Sequence, residues 1–134
     1  MYDDMKRLGE LVGKTVKEIT GGESGSDSMT MVTEDGFYFR LYHSRDCCES
    51  VNIEDIAGDV SDLIGSPITM AEEVTSNENP PGFTKEYQES FTWTFYKLAT
   101  AKGYVTIRWY GESNGYYSES VELDVQEPPK EPVL

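Results

Sequence analysis

Between residues 90 and 125 the chain reads SFTWTFYKLATAKGYVTIRWYGESNGYYSESVELDV, and apolar and polar residues alternate in three successive runs. A period of two is the mark of half-buried strands, because successive side chains leave a strand on opposite faces. The alternation predicts Phe91, Trp93 and Phe95 on one face, with Thr92, Thr94 and Tyr96 on the other. After Ala101, Lys102 and Gly103 it predicts Val105, Ile107 and Trp109 against Thr106, Arg108 and Tyr110. After Ser113, Asn114 and Gly115 it sets Val121, Leu123 and Val125 against Ser120, Glu122 and Asp124. Short turn signals between the runs fit hairpins. The expectation is a three-strand antiparallel meander, with the first hairpin symmetric about Lys102.

The rest of the chain supports a mainly β fold with minor helix. Met5, Leu8, Leu11 and Val12 have near-helical spacing in residues 1–12, and Gly9 weakens that helix. A strand is expected at 15–20, carrying Val16 and Ile19, followed by a polar loop at 21–27 (GGESGSD). A hairpin is expected at 28–42, where Asp35-Gly36 separates two alternating runs and Phe37, Phe39 and Leu41 share a face. Residues 50–53 read as a short strand. Residues 54–64 read as one or two helical turns, with Ile56, Val60, Leu63 and Ile64 on one face and Gly58 interrupting. Residues 68–75 are extended, and 76–82 (SNENPPG) must be a loop, since its prolines fit no ladder or helix interior. About seven or eight strands follow from this reading. They form an antiparallel sheet that is strongly bent, a sandwich or a partly open barrel, covered by a short helix. Residues 1–125 form a single β-rich domain, and 126–134, with three prolines, an extended or disordered tail.

Composition narrows the function. The chain has 134 residues, enough for one domain with its own core. Twenty-five acidic residues against 11 basic ones give a formal net charge of −14. That charge disfavours direct binding to nucleic acid or an anionic membrane and permits docking onto a basic partner. No apolar run approaches the roughly 18 residues of a membrane span, and the N-terminus lacks the pattern of a signal peptide. The two cysteines, Cys47 and Cys48, are adjacent and cannot staple distant segments, which points to a reducing, cytoplasmic setting.

Two segments carry a resemblance. HSRDCCESVNIEDIAGDVSDLIGSPI, with its Asp-Cys-Cys-Glu, and SFTWTFYKLATAKGYVTIRWYGESNGYYSE, with its Asn-Gly-Tyr-Tyr-Ser, resemble a family of small proteins encoded mainly by bacteriophages and prophages. The likeness runs from about Leu11 to Leu123. It implies a phage or bacterial origin and a single intracellular domain. It implies no activity, so no catalytic residue is carried over.

Three clusters offer chemistry. His43, Asp46, Cys47, Cys48 and Glu49 are all competent zinc ligands, but adjacent cysteines seldom reach one ion, and no second Cys or His pair exists. A Cys–His nucleophile or a vicinal disulfide is the alternative there. The bland reading buries one cysteine, places the other at a strand bend and has His43 and Asp46 satisfy local backbone. The second cluster is the expected Thr/Tyr/Arg sheet face: Thr92, Thr94, Tyr96, Thr106, Arg108 and Tyr110, with Tyr116 and Tyr117 at its far turn. Tyrosine and arginine make good contact surfaces, though cross-strand Thr and Tyr pairs also simply stabilise sheets. The third is the array of carboxylates, which could imitate a nucleic-acid backbone.

The sequence thus leads to a non-enzymatic, acidic, phage-type cytoplasmic protein, with neither metal nor cofactor, that binds a host or phage macromolecule, as an inhibitor or nucleic-acid mimic. Its expected contact residues are Thr94, Tyr96, Thr106, Arg108, Tyr110, Tyr116 and Tyr117, and its expected partner is a protein with a basic surface. The alternatives are a nucleotide-like small ligand on the same face and a metal- or thiol-dependent enzyme at residues 43–49.

Overall fold

The computed structural model describes residues 4–129, with side chains from Arg7 onward. Of the expected tail, 130–134 lies outside the described residues. Two four-stranded antiparallel sheets face each other without closing into a barrel. The first has the order β1-β2-β3-β8, formed by β1 (Val16–Thr20), β2 (Ser28–Thr33), β3 (Tyr38–Tyr42) and β8 (Glu122–Gln126). The second has the order β4-β7-β6-β5, formed by β4 (Ser50–Ala57), β5 (Met70–Ser76), β6 (Ser90–Thr100) and β7 (Gly103–Ser113). Two short 3₁₀ segments, Asp4–Leu11 and Val60–Leu63, complete the described secondary structure. Among the described residues no helix is long and apolar enough to cross a membrane.

The core lies between the sheets. Met29, Met31, Phe39 and Leu41 of the first sheet and Tyr96, Leu98, Val105, Ile107 and Trp109 of the second are all fully buried. The 28–42 hairpin forms as expected, pairing Met31 with Phe39 and Met29 with Leu41 on the inward face. Leu8 and Leu11 of the first 3₁₀ segment are buried in the same core.

Three expectations are corrected. First, the β6–β7 hairpin turns on two residues, Ala101 and Lys102, with Thr100 opposite Gly103. The pairing is therefore one residue off symmetry about Lys102, and a slip of one moves every side chain of a strand to the other face. Thr94, Tyr96, Leu98 and Thr100 point inward, while Phe91, Trp93 and Phe95 share the outward face with Arg108 and Tyr110. The turn is fixed from below: Thr100 Oγ1 donates to the Asp62 carbonyl, and a Cβ on Gly103 would lie 2.6 Å from Asp62 Oδ2.

Second, the meander has two strands, not three. β7 already has β4 and β6 on its two edges, so the third run crosses to the other sheet and pairs with β3, Leu123 opposite Leu41 and Val125 opposite Phe39. The crossing segment is fastened by Glu119, which accepts from Thr92 Oγ1 at 2.9 Å and from Ser113 Oγ at 2.5 Å. Gly111 permits the close pass, since a Cβ there would meet the Glu119 carbonyl oxygen at 2.5 Å.

Third, residues 54–57 are strand rather than helix. The β4–β7 register shifts between Ile53 and Asp55, a bulge that gives Glu54 no direct partner. The bulge puts Ile53 and Ile56 on the same inward face although they are three residues apart; of the expected helical residues Ile56, Val60, Leu63 and Ile64, only Val60 and Leu63 lie in a 3₁₀ turn. Gly58 then ends the strand at φ 101°, where a Cβ would meet the Tyr104 carbonyl oxygen at 2.5 Å. Asp59 caps the second 3₁₀ segment by accepting from the Ser61 N–H at 2.9 Å.

Candidate functional site

The outward face of the second sheet carries a second, smaller aromatic cluster. An apolar row of Phe91, Trp93 and Phe95 facing solvent would be costly, and the chain covers part of it with its own loop 77–89. Phe83 from that loop stands edge-on to Trp93, ring centroids 4.9 Å apart, and 5.6 Å from Tyr110. Trp93 and Tyr110, cross-strand partners, are 4.6 Å apart. Under this strap Trp93 is fully buried although it does not belong to the main core. The strap is tied by polar bonds as well. Trp93 Nε1 donates to Asn79 Oδ1 at 3.1 Å, Asn79 Nδ2 to Gln88 Oε1 at 2.9 Å, and Gln88 Nε2 to Tyr110 Oη at 2.6 Å. Lys85 forms an ion pair with Glu112 that raises the lysine pKa. Burial pushes the Tyr110 hydroxyl pKa upward, so Tyr110 stays a neutral donor toward Glu112.

Beyond the strap the same face is open. Arg108 lies over the Trp93 ring at 5.1 Å and donates from Nε to Glu54 at 2.7 Å. Around it stand half-buried Phe95, Lys97 and Thr106, together with Val74 and Tyr104, which are 41% and 54% exposed. Arginine over an aromatic ring beside aliphatic and aromatic area is the composition of a contact surface.

The expected contact residues do not all meet. Thr106, Arg108 and Tyr110 lie together on this outward face. Thr94 and Tyr96 point the other way and are buried. The Tyr96 hydroxyl donates to Glu73 at 2.8 Å, and burial first, then the Glu73 charge, drives its pKa far up. Tyr116 and Tyr117 stack edge-to-face at 5.0 Å beyond the end of β7 distant from Thr106. The sequence reading missed Asn79, Phe83, Lys85 and Gln88. The available signal was a lone phenylalanine directly after a proline-rich polar loop.

At the edge of the sandwich, the segment 43–49 is held by a buried carboxylate. Glu49 accepts from the Asp46 N–H at 2.8 Å, the Cys47 N–H at 3.0 Å and His43 Nε2 at 2.7 Å. These donors, the Asp46 amide foremost, lower its pKa to about 2. The other ring nitrogen, His43 Nδ1, faces the Ser120 carbonyl oxygen at 2.7 Å. Both ring nitrogens are therefore engaged by oxygen partners. Neither is left for a metal or a substrate proton. Among the described residues no three His, Cys, Asp or Glu side chains are arranged to hold a metal ion. The expectation that one cysteine is buried is corrected: Cys47 and Cys48 are both exposed, and their sulfurs are bonded to each other. The Glu49 carboxylate turns the backbone back toward β4 at this point, which leaves the pair on the outside.

A family model described as a domain of unknown function (DUF7448) matches residues 9–123. No curated protein and no solved structure matches the chain.

Proposed function

We propose, for a chain that belongs to the DUF7448 family of domains of unknown function, a non-enzymatic role as a binding module. It uses the outward face of the β4-β7-β6-β5 sheet to contact a protein with a basic surface. The observation that carries this reading is the open part of that face. Phe95, Val74, Tyr104 and Arg108 remain accessible there, although the chain covers the adjoining Trp93 with a strap of its own. Single exposed apolar residues need no explanation, but Val74 and Phe95 side by side next to an arginine over tryptophan, with Tyr104 further along the same face, do. Asp55 and Glu72 lie on the outward side of the same sheet. With the chain's net charge of −14 they steer a basic partner toward the face and repel nucleic acid. The two segments that resemble phage-encoded proteins support a phage or prophage origin, with the bacterial cytoplasm as the place of action.

The test is capture from bacterial lysate by the wild-type chain and by a Val74→Asp/Phe95→Ala variant, with circular dichroism confirming that both are folded. The expected result is a partner retained at about 50 mM salt, weakened by about 500 mM salt as charges are screened, and lost in the variant. Retention of the same partner by the folded variant would overturn the reading.

A further inference from the structure

Cys47 and Cys48 are adjacent, exposed and bonded through their sulfurs, in the segment that joins β3 to β4. The backbone around them is fixed without help from the sulfurs. Glu49 takes the N–H groups of Asp46 and Cys47, His43 holds Glu49, and Arg45 Nε donates to the Cys47 carbonyl at 2.9 Å. Cys48 also forms part of the wall of a cleft of about 260 Å³, with Tyr87, Glu89, Glu112, Ser113 and Asn114 among the other lining residues. The pair therefore has access from solvent, a backbone held by side-chain bonds and a cleft beside one of its two residues.

We propose that Cys47 and Cys48 form a reversible dithiol–disulfide site. It exchanges with low-molecular-weight thiols that enter along the cleft, and it favours cationic thiols over anionic ones. Reduction begins when an incoming thiolate attacks Cys48 Sγ. The bond between the two protein sulfurs breaks, and Cys47 leaves as a thiolate that takes up a proton. A second thiolate then attacks the sulfur of the small molecule in the mixed disulfide and releases Cys48. Overall, two small thiols are oxidised to one disulfide while the protein pair gains two electrons and two protons, and the corresponding small disulfide drives the reverse. Cys48 is the residue attacked because it, and not Cys47, is among the residues that line the cleft. The charge preference follows from Glu89 and Glu112 in the cleft wall, the latter paired with Lys85, and from the chain's overall charge. This site does not depend on the proposed contact face.

The experiment uses the full chain equilibrated in cysteamine–cystamine buffers of increasing ratio, then acid-quenched and alkylated, with intact mass counting the labels. The expected result is a reversible passage between no label and two labels. Compared per thiolate at low salt, cysteamine should reduce the pair at least about threefold faster than 3-mercaptopropionate, and added salt should erase the difference. In single variants treated with cystamine, Cys48 (in Cys47→Ser) should form the mixed disulfide faster than Cys47 (in Cys48→Ser). Two labels at every ratio, or none at every ratio, would overturn the exchange site. Equal rates for both thiols would overturn the charge preference, and equal rates for the two single variants the direction of attack. A Cys47→Ser/Cys48→Ser chain with an unchanged melting curve separates these outcomes from a folding defect.

Discussion

Replacing Asn79 by alanine puts the strand assignment at risk. Asn79 is exposed in a proline-rich loop, and truncating an exposed loop residue ordinarily changes stability by less than about 0.5 kcal/mol. Here its Oδ1 is the acceptor for Trp93 Nε1, and Trp93 is fully buried. Losing that acceptor leaves a buried N–H without a partner, which costs about 1–3 kcal/mol. The second bond, from Asn79 Nδ2 to Gln88, is exposed and adds little. A loss of about 2 kcal/mol is therefore expected, with each kcal/mol lowering Tm by roughly 3–5 °C for a chain of this size. Opening of the strap would relieve the orphaned N–H and set an upper limit on the loss. Urea unfolding followed by tryptophan fluorescence reads the change, and the indole N–H resonance of Trp93 should exchange faster with solvent. If Trp93 instead faced the main core, as alternation about Lys102 implies, Asn79→Ala would be silent. A midpoint shift worth less than about 0.5 kcal/mol would refute the outward placement of Trp93.

Other outcomes follow from the same geometry. Glu49 has a folded pKa of about 2 against an ordinary value of 4.5, so its contribution to stability is complete above about pH 4.5 and is lost as pH falls toward 2. Melting curves from pH 2 to 6 should therefore show a steeper acid limb for the wild type than for Glu49→Gln, and parallel limbs would contradict the assignment. Gly58→Ala should destabilise by at least about 1–2 kcal/mol, because its φ is 101° and the new Cβ meets the Tyr104 carbonyl. Gly9→Ala, with nothing within 4 Å of its Cβ position, should stabilise by about 0.4–1 kcal/mol, and thermal melts of the two variants should move in opposite directions.

Much of the fold could be read from local pattern, and the places where it could not share a cause. β7 alternates cleanly, so Val105, Ile107 and Trp109 were placed inward correctly. β6 is buried on both sides near Trp93 and Thr94, and its polar run faces the core, so alternation alone pointed to the wrong face. The choice was made by a two-residue turn, which differs from the expected one by a single position. The helical spacing of Ile56, Val60, Leu63 and Ile64 spans the end of β4, the turn at Gly58 and one 3₁₀ segment. Leu123 and Val125 were recognised as strand, but their partner is set by which edges are free, and that is a property of the whole sheet. The candidate face was legible in Thr106, Arg108 and Tyr110. It was not legible in Phe83, Asn79 or Gln88, because a strap declares itself only through contacts distant in sequence. The exposure of both cysteines likewise depends on a buried Glu49 that no periodicity marks.

The central claim is that the outward face of the second sheet meets a partner. Hydroxyl-radical footprinting of the chain, free and bound to the protein it captures, tests that claim side chain by side chain. The account predicts protection of Phe95, Val74 and Tyr104 in the complex, while Tyr38 on the first sheet and Tyr116 beyond β7, 48% and 83% exposed, keep their reactivity. Protection of Tyr38 or Tyr116 with Phe95 and Tyr104 unchanged would contradict it.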